Sequence, residues 1–123
     1  MSTINWFEIP VENMGRAVRF YEALLGETLE QREFLGVPHA LFADSQSNGR
    51  PIGALIAEDG LLPSPAGTRI YLHANDIDTC LARAVEAGGG IALPKTSIGP
   101  QGSMALVRDS EGNLVGLHTP GTV

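Results

Sequence analysis

The chain states one pattern twice, about half its length apart. An alternating run, Ile4-Asn5-Trp6-Phe7-Glu8-Ile9-Pro10-Val11, leads into Asn13, a helical stretch Met14 to Leu25, and then Gly26. At an offset of 63 residues, Arg69-Ile70-Tyr71-Leu72-His73-Ala74 leads into Asp76, a helical stretch Ile77 to Ala87, and then Gly88-Gly89-Gly90. Each copy is followed by strand-like runs, so the chain reads as two βαβββ modules. A repeat at fixed offset implies that neither copy buries its apolar face alone and that the two pack into one domain. Two copies make a paired fold and not a solenoid.

The helices are the clearest elements. Met14, Ala17, Val18, Tyr21, Leu24 and Leu25 recur at steps of three and four, with Arg16, Arg19 and Glu22 turned away. Asn13 is the expected N-cap and Gly26 the expected stop. Asp76, the apolar set Ile77, Leu81, Ala84 and Val85, and the three glycines punctuate the second helix in the same way. Strands are expected at Thr28 to Phe34, Pro38 to Ala43 and Ile52 to Glu58, then at Gly90 to Pro94, Ser103 to Arg108 and Leu114 to Thr119. The modules span 3–58 and 68–120, joined by the linker 59–67, which is rich in Pro, Gly and Ser. Asp109-Ser110-Glu111-Gly112-Asn113 reads as a hairpin loop of turn residues, and Ser45 to Pro51 and Thr96 to Gly102 read as loops.

Composition narrows the partners. With 43% hydrophobic and 18% charged residues among 123, the chain has the apolar surface for one core. A net charge of -6 argues against a nucleic-acid surface, which needs clustered Lys and Arg. No apolar run reaches the roughly 18 residues of a membrane span, and the N-terminus lacks the basic and apolar regions of a signal peptide, so the expected location is the cytoplasm. The single cysteine, Cys80, has no internal disulfide partner and lies on the apolar side of the second helix, where a structural thiol is expected. The three glycines Gly88-Gly89-Gly90 follow a helix and precede a strand, the reverse of a phosphate-binding loop.

The segment Ile9-Pro10-Val11-Glu12-Asn13-Met14, with Arg16-Ala17-Val18, Phe20-Tyr21-Glu22 and Leu25-Gly26, resembles the opening of vicinal oxygen chelate proteins, a superfamily that includes glyoxalase I, bleomycin-resistance proteins and extradiol dioxygenases. The late segment Arg108-Asp109-Ser110-Glu111-Gly112-Asn113-Leu114-Val115-Gly116-Leu117 resembles the closing hairpin of the same family. With Pro94-Lys95-Thr96 and Gly102, the chain is most similar to the glyoxalase-related subgroup whose members mostly lack an assigned reaction. The resemblance implies an α+β fold in which two βαβββ modules form curved mixed sheets, with helices on the convex face and a ligand pocket on the concave one. It also implies a homodimer with pockets at or near the subunit interface. It does not transfer a reaction, because this fold hosts many.

In metal-dependent relatives, four pocket positions carry His, Glu or Gln. Matched onto this sequence they are Trp6, Arg69, Ala54 and Gly116. None offers a lone pair to a cation, and a guanidinium repels one, so no metal and no other cofactor is expected. Strand alternation places Glu8, His73 and His118 on the faces that the resemblance makes concave, which leaves open a relocated set of two His and a carboxylate. His39, beside Pro38, reads as a surface or strand-edge residue.

An organic ligand suits these residues better. Trp6 and Tyr71 cover an apolar or planar body, Arg69 holds a carboxylate or phosphate, and His73 points to the same face. The alternatives for Trp6 and Arg69 are core filling and an ion pair between Arg69 and Glu8. If the protein is an enzyme, it is a glyoxalase-related lyase or isomerase whose acid-base work falls to Glu8 or His118. The other reading is a protein that sequesters a drug or metabolite, in the manner of bleomycin-resistance proteins. The negative net charge favours a cationic ligand and Arg69 an anionic one; the local cue weighs more, because surface charge is screened within about 10 Å.

Overall fold

A computed structural model describes residues 3–44 and 49–121. In chain order the elements are β1 (Phe7–Pro10), α1 (Met14–Leu25), β2 (Glu30–Phe34), β3 (Val37–Asp44), β4 (Arg50–Ile56), β5 (Tyr71–His73), α2 (Ile77–Glu86), β6 (Gly90–Ser97), a 3-10 turn at Gly99–Gln101, β7 (Gly102–Arg108) and β8 (Leu114–Pro120). They form two four-stranded mixed sheets, ordered β1-β4-β3-β2 and β5-β8-β7-β6, here called sheets A and B. In each, the first strand runs parallel to the last and the remaining pairs are antiparallel. The repeat in the sequence is therefore a repeat of topology.

Helix α1 begins where Asn13 Oδ1 accepts from Arg16 N at 2.9 Å, and it ends at Gly26, whose φ of 68° is the left-handed conformation that glycine adopts without a steric penalty. Asp76 Oδ1 caps α2 through Thr79 N at 3.2 Å, and these hydrogen bonds hold the Asp76 carboxyl below its ordinary range. Each helix lies on one face of its own sheet, α1 against β3 and β4, and α2 against β6, β7 and β8, while the two helices pack on each other. Ile9, Phe20, Tyr21, Leu24, Leu55, Ile77, Leu81, Val107 and Leu117 fill the common core. One sheet face is thereby buried, and the other carries the alternate residues.

A polar joint locks the modules together. The Glu111 carboxylate, on the loop between β7 and β8, accepts from Glu12 N at 3.0 Å, Asn13 N at 2.8 Å, Arg16 Nε at 2.6 Å and Arg16 Nη2 at 2.9 Å. It thereby serves orphan amides at the start of α1 from the other module. Its carboxyl sits at about 2: burial opposes ionisation, but the donors of Arg16, Asn13, Ser110 and Glu12 outweigh that cost. Beneath it, the buried Tyr21 hydroxyl donates to Asp109 Oδ2 at 2.6 Å, and Asn113 Nδ2 donates to both Asp109 Oδ2 at 2.9 Å and the Pro10 carbonyl at 2.8 Å. Turn formation thus accounts for only part of what Asp109 and Glu111 do.

Candidate functional site

On sheet A, the pleat sends Ile9 into the core, 4% exposed, and turns Glu8 to the opposite face. Trp6 precedes the strand by one residue and is 40% exposed. Glu8 lies in register with Ala54 on β4, which projects only a methyl group into that face. The carboxylate meets His39 instead of Arg69, with Glu8 Oε2 3.8 Å from His39 Nε2. His39 is no edge residue: it sits on β3 between β4 and β2, is 7% exposed, and its Nδ1 lies 2.9 Å from the Val37 carbonyl. The Phe34 ring meets the imidazole edge-on at 4.9 Å between centroids. Alternation along Val37, His39 and Leu41 was the signal for this placement; the adjacent proline obscured it.

On sheet B, Tyr71 is in register with Gly116, and His73 with His118. The Tyr71 ring lies across Gly116 so closely that a Cβ at 116 would strike its Cδ2 and Cε2 atoms. Glycine is thus required there by the ring, which remains 44% exposed on its outer side. The two imidazoles are each pinned through Nε2, which donates to Asn75 Oδ1 at 2.8 Å in His73 and to the Gln101 carbonyl at 2.8 Å in His118. Since both acceptors are oxygens, Nδ1 of each ring is left as the acceptor in the neutral form. Arg69 stands exposed just before β5.

A family model for the Glyoxalase/Bleomycin resistance protein/Dioxygenase superfamily matches residues 3–117. The chain belongs to this superfamily. It is 26% identical over 120 residues to a mycobacterial protein carrying the provisional name glyoxylase CFP32, found in Mycobacterium bovis and Mycobacterium tuberculosis; the match covers 94% of this chain and 44% of that protein, so the chain spans less than half of its curated relative. Among solved structures it is similar to TnmS3, an antibiotic binding protein from Streptomyces sp. CB03234, with a TM-score of 0.67, 25% identity, and 98% of each chain covered. A glyoxalase/bleomycin resistance protein from the same Streptomyces is 27% identical with a TM-score of 0.66, covering 94% of this chain and 99% of that one. FosX, a fosfomycin resistance protein of Listeria monocytogenes, shares the fold at 16% identity and a TM-score of 0.68, over 100% of this chain and 96% of that one.

Set against the metal-dependent members that the resemblance invokes, the four matched positions do not fit a metal. Ala54 and Gly116 bring no donor atom, the space beside Gly116 holds the Tyr71 ring, and Trp6 and Arg69 offer no lone pair. The relocated set does not assemble within one chain either. His73 and His118 stand side by side on sheet B, whereas Glu8 faces His39 on sheet A. Among the described residues no group of three His, Cys, Asp or Glu comes together to hold a metal ion.

One cavity of this superfamily member, about 520 Å³, is lined by neither Trp6, Glu8 nor Tyr71. It lies at the joint between the modules, lined by Leu25, Phe42, Leu72, Cys80 and Arg83, and of the expected site residues only His73 touches it. The Cys80 thiol there is 7% exposed and burial pushes its pKa up, which keeps it protonated and poorly nucleophilic. The structural role expected for it stands. The exposed aromatic and polar groups gather instead on the two open sheet faces. Among the described residues no helix is long and apolar enough to cross a membrane.

Proposed function

We propose that this protein binds a small organic molecule on its concave sheet faces and sequesters it, with no resident metal in the pocket. The observation that carries this reading is the Tyr71 ring laid over Gly116, at a position where metal-dependent relatives place a ligand side chain. A half-exposed aromatic face there is a stacking surface. Trp6 supplies a second on sheet A, and Arg69, His73 and Glu8 supply polar groups around them, the mix of apolar wall and few polar contacts that small-molecule sites use. The likeness to an antibiotic binding protein over the length of both chains supports a binding role. In this reading the ligand is enclosed by a homodimer in which sheet A of one protomer faces sheet B of its partner, and the exposed Trp6, Ile52 and Tyr71 suit such an interface.

A catalytic reading has one specific observation behind it. His118 is oriented by the Gln101 carbonyl and keeps Nδ1 as an acceptor in its neutral form, which suits it to be the base of a lyase or isomerase, with Glu8 the other candidate base. The test is native mass spectrometry of the protein purified from cells grown with and without added nickel, zinc and iron, followed by ligand titration of Tyr71→Ala. A dimer mass with a co-purified organic ligand, no metal adduct, and ligand loss in Tyr71→Ala is the expected result. Stoichiometric metal would sink the reading.

A further inference from the structure

The open face of sheet A brings two hydrogen-bond acceptors close together. The Val37 carbonyl can only accept, so the His39 Nδ1 that meets it at 2.9 Å carries the ring hydrogen. Nε2 of the neutral ring is then a bare lone pair, and it faces Glu8 Oε2 across 3.8 Å. That gap is too long for a hydrogen bond between the two. Two acceptors so spaced can share one donor nitrogen that sits off the line between them, about 2.9 Å from each, and no described side chain or backbone amide makes a hydrogen bond to the Glu8 carboxylate.

The charge of the surroundings decides which donor fits. Arg32, directly across from His39 on β2, is held by Glu30 in a two-pronged contact at 3.2 Å for both bonds, so these two cancel. Arg50 lies at the far end of β4, opposite Asp44. The uncompensated charge at the centre of this face is Glu8, and a carboxylate beside a lone pair favours a cation over a neutral or anionic group. The Phe34 ring, on a residue 43% exposed, meets His39 at 4.9 Å, and Trp6, 40% exposed, lies two residues before Glu8 in the chain; such aromatic faces attract a cation further.

We propose that the Glu8 and His39 pair seats a protonated amine carried on an apolar ligand body. This deepens the ligand-binding reading and rests on it. It also assigns the two conflicting sequence cues to different places: the cation goes to sheet A, and Arg69 on sheet B remains for any anionic group of the same ligand.

The test is an NMR titration of the full chain, with assigned backbone amides, against three probes sharing one ring: phenethylamine, 2-phenylethanol and 3-phenylpropionate. The amine is expected to bind about tenfold more tightly than the other two, with the largest shifts at Glu8, His39 and Ala54. Glu8→Gln, isosteric and at a partly exposed site, is expected to erase that preference while ring-induced shifts near Trp6 and Tyr71 persist; His39→Gln is expected to reduce it. An acid that binds as well as the amine, or a preference that survives Glu8→Gln, overturns the proposal and leaves the ligand-binding reading standing. Probes that bind only away from both concave faces, or not at all up to their solubility limits, overturn both.

Discussion

Replacing Glu111 with Gln should destabilise the protein and do so in a pH-dependent way. The carboxyl falls from 4.5 when unfolded to about 2 when folded, which at about 1.4 kcal/mol per tenfold change sets a ceiling near 3 kcal/mol. The Glu111 side chain is shut off from solvent, but its partner Arg16 is 46% exposed, and water screens such a pair, so about 1–2 kcal/mol is the realistic share. The sign follows from a folded value that lies below the unfolded one. The stabilisation is complete above about pH 5 and is lost as pH falls toward 2. Urea unfolding of both proteins at pH 7 and pH 3 should therefore show a gap of about 1–2 kcal/mol that shrinks by more than half at the lower pH. Comparing the gap, and not the wild type alone, cancels the other carboxylates. A gap of the same size at both pH values would mean that Glu111 acts through packing and not charge, and a gap below a few tenths would mean that the lock contributes nothing.

Two further substitutions probe the joint and the platform. Tyr21→Phe removes the hydroxyl that donates to Asp109 in a fully buried setting and should cost about 1–2 kcal/mol in thermal or urea unfolding; a cost near zero would show that Asn113 and the Glu111 amide satisfy Asp109 without it. Gly116→Ala places a methyl group where the Tyr71 ring lies. Because the clash reaches back to the ring's Cγ, the whole ring must move, and stability should drop by about 1–3 kcal/mol while binding of a ligand on this face weakens several-fold; unchanged binding would refute the stacking role.

The elements that were legible in the sequence are those with local punctuation. Helix α1 runs over Met14–Leu25 as its cap and stop imply, because Asn13 and Gly26 act within one turn of the helix. The first strands are shorter than their alternating runs, Phe7–Pro10 and Tyr71–His73, because each is an edge strand paired on one side only. Strand β4 begins at Arg50 instead of Ile52, since an irregularity at Phe42 and Ala43 shifts the pairing, and most of the loop expected over Ser45 to Pro51 lies outside the described residues. The candidate site residues can be listed from the sequence but not grouped. Alternation put Glu8, His73 and His118 on equivalent faces, yet a face does not say which sheet it belongs to. Likewise nothing in Asp109-Ser110-Glu111 distinguishes a turn from a clamp on Arg16, 95 residues away.

The repeat also shows where its two halves have diverged. Phe20 and Arg83 are equivalent by the offset of 63 residues, as are Gly26 and Gly89. Each side chain crosses to the helix stop of the other module: Phe20 packs on Gly89, and Arg83 lies over Gly26 with its Nη1 3.1 Å from where a Cβ would be. The first contact is apolar, and its side of the joint carries the buried Tyr21, Asp109 and Asn113 network with Glu111 above it. The second contact is a cation placed at the C-terminus of α1, where the helix dipole favours it, and beside it lies the cavity of about 520 Å³. One joint is packed and hydrogen-bonded, and its symmetry mate is partly hollow. Relative movement of the modules therefore meets more resistance on the Tyr21 side than on the Arg83 side. That bias matters for the proposed ligand site, since any tilt between the modules changes how the two open sheet faces are presented to a ligand.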